Sequence, residues 1–186
     1  GTASLPLVTR MVDCQPRRAR ALLRRSRQWR RLSLACTRNV HVPIPTHIST
    51  EVDYEGELGV IIGKAVRDVS PEEALDAVFG YTVINDITAR DLQFREPQWS
   101  RCKSFDGFTP VGPYVVTADE IPDPQDLHIT TDVDGLRVQD SSTKFMVNSV
   151  AQLISAISQG LTLLPGTLIS TGSPGGAGRS RKPQLF

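Results

Sequence analysis

Apolar stretches recur along the chain from about residue 50 and predict a domain made mainly of strands. Glu51–Lys64 (EVDYEGELGVIIGK) has an apolar, β-branched second half and predicts a strand that Gly63 closes. Tyr81–Ile87, Pro113–Thr117 and Thr167–Ser170 predict three further strands of the same kind. Only two short segments have a helical pattern and no internal repeat is present, so the expected fold class is α+β, mainly β.

Turn-forming and helix-capping residues predict one hairpin and one helix in the second half of the chain. Leu127–Val133 and Leu136–Gln139 flank Asp134-Gly135, a dipeptide that is typical of a tight hairpin turn. Asn148 or Ser149 is suited to cap a helix. The expected core face of this helix is formed by Val150, Leu153, Ile154 and Ile157.

A second helix is expected to begin at Ser70. Pro71 would occupy the first helical position, and Glu73 would complete a capping box with the serine. Gly80 is a natural stop signal after this helix. The expected apolar stripe is formed by Ala74, Leu75, Val78 and Phe79.

Charge divides the chain into two parts. Residues 1–50 carry ten arginines against one acidic residue, Asp13, which gives a net charge of +9, whereas residues 51–186 have a net charge of −8. Residues 1–40 also lack an apolar period, so we expect a flexible basic arm before a domain at 41–186. A mitochondrial transit-like segment and a nucleic-acid-binding arm are alternatives, but Trp29 is the arm's one aromatic residue for base stacking, so no nucleic acid is expected.

The composition excludes a membrane-spanning chain and indicates a compartment. No apolar run approaches the roughly 20 residues that span a bilayer. Three cysteines, Cys14, Cys36 and Cys102, have no paired CxxC spacing, and an odd number suits a reducing compartment. An intracellular, cytoplasmic location is therefore expected, with a mitochondrial location as the alternative.

Three acidic residues lie at positions where carboxylates are unusual in strands. Glu55 and Glu57 are two residues apart on an expected strand, so their side chains share a face, and Asp86 interrupts the apolar segment YTVINDI. Both glutamates facing water, and a turn at Asp86, are the simple explanations. Alternatively the three residues bind a divalent cation, and hard oxygen ligands favour Mg²⁺, Mn²⁺ or Ca²⁺ over zinc or copper.

Two further segments have candidate chemistry. Lys103 in RCKSFD is either an exposed loop lysine or, beside a metal site, a group that stabilises an enolate. The backbone N–H groups of Thr171–Gly178 and the hydroxyls of Thr171 and Ser173 are suited to hold a carboxylate, although the loop has no nucleotide-binding motif. The chain's three histidines do not form a convincing Ser/His/Asp set.

Four segments in this order resemble the fumarylacetoacetate hydrolase family: DYEGELGVIIGK, GYTVINDITARDLQ, WSRCKSFDGFTPVGPYVVT and LLPGTLISTGSPGGAG. The resemblance covers about Val52–Pro183. It implies a mainly-β, roll-like domain with short helices that forms a homodimer. By the same resemblance, the metal carboxylates of the family fall on Glu55, Glu57 and Asp86, and its active-site lysine falls on Lys103.

The resemblance also implies substrate-binding residues. The family's Arg and Gln fall on Arg90 and Gln93 of the ARDLQ segment. The hydroxyl of its TGT-type loop falls on Ser173, where threonine is usual. The family's upstream His and Glu block is not visible before Glu55, and members continue beyond the position of Phe186, so a domain truncated at both ends is expected.

The family's activities define the expected function. The resemblance implies a metal-dependent hydrolase that cleaves a C–C bond in a small acylpyruvate or 1,3-diketo acid. Oxaloacetate decarboxylation and isomerisation or hydration of a 2-hydroxy-dienoate are family alternatives, because all share an enolate intermediate. A degenerate member that binds metal and a 2-oxo acid without turnover, and an interaction module based on the arm, are the non-enzyme alternatives. No membrane partner is expected.

Overall fold

The computed structural model describes residues 7–11, 41–181 and 183–184. Strands are the predominant regular elements among these residues, in agreement with the mainly-β prediction. In chain order they are β1 (Leu7–Met11), β2 (Val52–Asp53), β3 (Gly56–Ile62), β4 (Val78–Asn85), β5 (Thr88–Ala89), β6 (Val116–Thr117), β7 (His128–Val133), β8 (Leu136–Ser142) and β9 (Leu168–Ser170).

The central sheet is antiparallel and has the strand order β6-β4-β3-β9. All seven residues of β3 are buried, so both faces of this strand are covered. Leu58, Val60 and Ile62 pack into the largest apolar cluster. Because successive side chains of a strand point to opposite faces, Glu57 projects from the other face of the sheet.

A second sheet contains the predicted hairpin. Its strand order is β1-β7-β8, and β7 and β8 are joined by the expected two-residue turn. Asp134 and Gly135 have φ angles of 50° and 81°, the left-handed conformations that a tight hairpin turn of this type requires. β1 lies at the edge of the sheet, a strand that the sequence pattern did not predict. The rest of the predicted arm, at 1–6 and 12–40, lies outside the described residues.

The predicted helix from Ser70 to Gly80 is wrong beyond its first turn. Helix α1 is Pro71–Ala74, and a 3₁₀ turn at Leu75–Ala77 follows it. Val78 instead begins β4, where it pairs with Ile62 of β3, so strand pairing overrides the helical stripe. No capping box forms: the Ser70 hydroxyl accepts no hydrogen bond from a helix backbone N–H and instead donates to the Glu73 carboxylate.

The helix predicted after Asn148 is confirmed. Short helix α2 is Arg90–Gln93, and α3 is Val150–Ser158. Ser149 caps α3 in a reciprocal capping box with Gln152. Val150 and Ile154 are buried as expected, whereas Ile157 is exposed. Among the described residues, no helix is long and apolar enough to cross a bilayer.

Two other strand predictions differ in length. The strand expected at Pro113–Thr117 is reduced to β6, which pairs with Gly80 and Tyr81 of β4. Proline has no backbone N–H for a strand ladder, which explains why Pro113 is not part of the strand. The strand expected at Thr167–Ser170 is present as β9.

Candidate metal centre

Two neighbouring strands bring the three predicted metal carboxylates together. Glu55 precedes β3, Glu57 lies within it, and Asp86 follows β4. The antiparallel register places Gly56 opposite Asn85, so the residues that flank these positions converge. One carboxylate oxygen from each of Glu55, Glu57 and Asp86 lies within 4.8 Å of the others.

Glu57 is the most enclosed of the three. The residue is 3% exposed to solvent. Its Oε2 accepts hydrogen bonds from the Gly172 backbone N–H at 2.9 Å and from the Ser170 hydroxyl. Burial raises the pKa of Glu57, and these two hydrogen bonds offset that rise only in part. A cation beside this carboxylate would stabilise its charged form.

Glu55 is held at both oxygens. Arg90 Nη2 lies 2.6 Å from Glu55 Oε1, and Lys103 Nζ lies 2.9 Å from Glu55 Oε2. The Glu55 backbone N–H donates to Asn85 Oδ1 at 2.9 Å, which fixes the main chain where it enters β3. The carboxylate is therefore oriented by two cationic side chains from different segments.

Lys103 has an acceptor for each ammonium hydrogen. Its Nζ lies 2.5 Å from Asp86 Oδ2, 2.9 Å from Glu55 Oε2 and 2.9 Å from Thr88 Oγ1. Burial alone lowers the pKa of Lys103, but the hydrogen bonds to Asp86 and Glu55 outweigh burial and raise it. The lysine therefore stays an ammonium group at neutral pH. Lys103 ends the 3₁₀ turn Arg101–Lys103, and Cys102 of this turn is buried in an apolar cluster that holds the turn in place.

Arg90 and Gln93, the predicted substrate-binding pair, are both buried on α2. Arg90 Nη1 donates to Gln93 Oε1 at 3.0 Å, and Arg90 Nε donates to Asp53 Oδ2 at 2.8 Å. Together with its contact to Glu55, the guanidinium binds three protein acceptors. The structure thus places Arg90 directly beside the carboxylate group, and its predicted role toward substrate stays a prediction.

Ser173 lies on the glycine-rich loop Thr171–Gly178, beside the main chain that joins the two glutamates. Gln139 Nε2 donates to Ser173 Oγ at 2.8 Å, and Ser173 Oγ lies 3.3 Å from the Gly56 carbonyl oxygen. Gln139 Oε1 accepts from the Gly56 N–H at 3.0 Å and from the Thr131 hydroxyl at 2.8 Å. One buried amide therefore connects the hairpin, the loop and the segment between the glutamates.

Three residues of this network were missed in the sequence. Asp53 has the same strand parity as Glu55 and Glu57, which was an available signal. Thr88 and Gln139 carried no local signal, because their partners are far away in the sequence.

The charges and ligand atoms fit a divalent cation. Four carboxylates, those of Asp53, Glu55, Glu57 and Asp86, form the connected group; within the described part of the chain, the cationic side chains that contact them are Arg90 and Lys103. With all four carboxylates ionised, the group has a net charge of −2, which one divalent ion balances. Carboxylate oxygens are the ligands that Mg²⁺, Mn²⁺ and Ca²⁺ prefer.

The family model for the fumarylacetoacetate (FAA) hydrolase C-terminal region matches residues 24–186. The chain therefore belongs to the fumarylacetoacetate hydrolase family, as the resemblance indicated. Members of this family are hydrolases and isomerases, which supports the expectation that this chain is an enzyme.

Curated relatives agree with this assignment. A 2,4-didehydro-3-deoxy-L-rhamnonate hydrolase from Sphingomonas sp. (strain SKA58) is 49% identical over 149 residues, which are 80% of this chain and 52% of that protein. A putative hydrolase from Burkholderia multivorans is 47% identical over 152 residues, or 81% of this chain and 54% of the relative. The chain thus spans about half the length of the curated relatives it matches. These relatives are bacterial, so they give the mitochondrial alternative no support.

Solved structures show the same fold. A fumarylacetoacetate hydrolase from Exiguobacterium antarcticum superposes with a TM-score of 0.74 at 46% identity, over 76% of this chain and 51% of that chain. A 2-hydroxyhepta-2,4-diene-1,7-dioate isomerase from Mycobacterium marinum gives a TM-score of 0.67 at 45% identity, over 70% of this chain and 50% of the other. The mainly-β fold of the family is confirmed.

Proposed function

We propose that the chain is a metal-dependent hydrolase that cleaves a C–C bond in a small acylpyruvate or related 1,3-diketo acid. The observation that carries the proposal is the approach of the Glu55, Glu57 and Asp86 oxygens to within 4.8 Å of one another. The hydrolases among the relatives support the reaction class. The proposed cation is Mg²⁺, Mn²⁺ or Ca²⁺, and a homodimer is the proposed assembly.

The role of the cation follows from the ligands that hold it. Glu55, Glu57 and Asp86 would bind it through three carboxylate oxygens and leave coordination positions for the adjacent keto and carboxylate oxygens of a 2-oxo acid. When bound, the cation supplies a Lewis acid that polarises the substrate carbonyl. Three carboxylates around one ion also explain why acidic side chains are concentrated on neighbouring strands.

Lys103 is proposed to stabilise the enolate that forms when the C–C bond breaks. Water adds to the distal carbonyl, the bond between that carbon and the methylene breaks, and the electron pair passes to the 2-oxo acid as an enolate. Protonation of that enolate completes the products, a carboxylic acid and a 2-oxo acid. The raised pKa of Lys103 keeps it an ammonium donor, and the developing oxyanion would replace one of its three present acceptors.

Ser173 is proposed to bind the substrate carboxylate. Gln139 donates to Ser173 Oγ, so the hydroxyl serves as an acceptor toward the protein and keeps its own proton for donation. Its present acceptor, the Gly56 carbonyl at 3.3 Å, is distant. Arg90 and Gln93 are proposed to contribute to the same substrate site from α2.

Isomerisation of a 2-hydroxy-dienoate is the second candidate. The Mycobacterium marinum structure at 45% identity is named an isomerase. Such an isomerisation also passes through an enol or enolate, whose charge a cation held by Glu55, Glu57 and Asp86 would stabilise. The two candidates differ in the bond that changes, because hydrolysis breaks a C–C bond and isomerisation moves a double bond. Product analysis with an acylpyruvate and a 2-hydroxy-dienoate therefore separates them.

The test combines metal binding with turnover. We expect metal-free protein to bind one Mn²⁺ per chain in isothermal titration and to hydrolyse an acylpyruvate only after Mn²⁺ is added. Asp86→Asn should weaken Mn²⁺ binding, whereas Asp91→Asn is a matched control because Asp91 contacts Ser49 and not the carboxylate group. Binding without turnover would support the degenerate alternative, and absence of Mn²⁺ binding would overturn the proposed metal centre.

A further inference from the structure

Asp53 is a fully buried carboxylate outside the proposed set of metal ligands. The residue is 0% exposed. Its Oδ1 accepts from the Gly178 backbone N–H at 2.7 Å, and its Oδ2 accepts from Arg90 Nε at 2.8 Å and from the Arg179 N–H at 3.2 Å. A buried carboxylate is unfavourable unless its charge is paired and its oxygens accept hydrogen bonds, and both conditions hold here.

Arg90 connects Asp53 to Glu55. The guanidinium is planar and rigid, so fixing Nε on Asp53 also fixes the direction in which Nη2 points. Nη2 lies 2.6 Å from Glu55 Oε1. The side chains of both Asp53 and Arg90 are at least nine-tenths buried, which leaves this chain of contacts little freedom to reorient. The direction of the Glu55 carboxylate therefore depends on Asp53 through one intermediate side chain.

Asp53 also holds the end of the glycine-rich loop. The Gly178 and Arg179 N–H groups that it accepts from lie in the 3₁₀ turn Gly178–Ser180, which begins at the last residue of that loop. The same carboxylate thus contacts both the arginine behind Glu55 and the main chain that follows the proposed substrate loop.

We propose that Asp53 is a positioning residue that acts through Arg90 to hold Glu55 in its metal-binding orientation. This inference rests on the proposed metal centre. It gives Arg90 a role toward the metal ligand in addition to the predicted contact with substrate. Outer partners that orient ligands typically change metal affinity by about 10- to 100-fold when they are replaced.

The experiment measures the Mn²⁺ Kd and the free energy of unfolding in the full chain. Asp53→Asn keeps the shape but removes the charge and one acceptor oxygen, and Arg90→Lys keeps the charge but removes the fork that joins Asp53 to Glu55. Each variant should raise the Mn²⁺ Kd about tenfold. The double variant should have a Kd no higher than that of either single variant, because Asp53 acts on Glu55 only through Arg90. Asp91→Asn is the matched control and should bind Mn²⁺ like the parent protein.

The outcomes separate this inference from the proposed function. An unchanged Kd in Asp53→Asn with a lowered unfolding free energy would show that Asp53 is only a structural tie. If Asp53→Asn does not fold, Arg90→Lys decides, and an unchanged Kd there overturns the proposal, as additive losses in the double variant would. If the parent protein binds no Mn²⁺, the metal centre itself fails and the role of Asp53 fails with it.

Discussion

The carboxylate of Glu57 accepts a 2.9 Å hydrogen bond from the backbone N–H of Gly172, so the glycine-rich loop directly contacts a proposed metal ligand. Ser170 donates to the same oxygen from β9. A single buried carboxylate is therefore bound by the strand that enters the loop and by the loop itself. Changes at Glu57 are expected to affect both metal binding and folding.

We predict that Glu57→Gln stabilises the metal-free protein while it weakens Mn²⁺ binding roughly tenfold or more. Burial raises the pKa of Glu57 in the folded state. The contribution of its protonated form to stability is therefore complete below the unfolded-state pKa and is lost as the pH rises through the folded-state pKa. A neutral glutamine avoids this loss and still offers an oxygen to Ser170 and Gly172.

The measurement is urea unfolding of both metal-free proteins between about pH 4 and pH 8, a range that brackets ordinary and raised glutamate pKa values. The stability advantage of Glu57→Gln should grow as the pH rises. The exposed Glu73 provides the control, since Glu73→Gln should leave Mn²⁺ affinity unchanged. A variant that is less stable at neutral pH, or that binds Mn²⁺ normally, would contradict the prediction.

Lys103→Met should spare Mn²⁺ binding and reduce turnover about 100-fold. The ammonium contacts Glu55 and Asp86, so its removal leaves both carboxylates free to bind a cation while the proposed enolate loses its donor. Titration with Mn²⁺ and the kcat for acylpyruvate hydrolysis test the two halves separately. A kcat equal to that of the parent enzyme would count against the assigned role.

Ser173→Ala should raise the KM for a 2-oxo acid about tenfold, because one hydrogen bond to a charged group is lost. The Mn²⁺ Kd should stay constant, since Ser173 is not among the three ligands. Ser173→Thr is the matched control because it retains the hydroxyl. If the alanine and threonine variants have the same KM, the hydroxyl does not bind substrate.

Gly80→Ala should destabilise the fold by about 1–3 kcal/mol. A Cβ at Gly80 would lie 2.4 Å from the Val116 carbonyl oxygen, so β4 and β6 would have to separate. Gly175→Ala is the control, because a Cβ there meets nothing within 4 Å. Comparing urea unfolding of the two variants tests the predicted pairing, and equal stability would refute it.

A homodimer is expected to have twice the 20.4 kDa mass of the chain in light scattering after size-exclusion chromatography. Large apolar side chains are available for such an interface, since Phe145 and Val147 are 71% and 98% exposed. Burial of such groups between copies would favour association. A mass of one chain at every concentration tested would contradict the expectation.

The sequence was informative where a few adjacent residues determine the structure. Asp134-Gly135 specifies a turn and Ser149 caps a helix through contacts within three residues, and both predictions are confirmed. Val78 was misassigned because its partner, Ile62, lies on another strand. The contact of Gln139 with Ser173 was inaccessible for the same reason, because 34 residues separate the two. Strand parity associates Asp53 with the two glutamates, but its hydrogen bond with Gly178, 125 residues away, could not be predicted from the sequence.

The three acceptors of Lys103 have a consequence for the order of events in a catalytic cycle. Every ammonium hydrogen already has a partner, so a substrate oxygen gains one only after one of these acceptors, Thr88 or the carboxylates of Glu55 and Asp86, releases it. Those two carboxylates are also the groups that a cation would attract. The cation should therefore bind before the substrate, and steady-state kinetics should show an ordered mechanism.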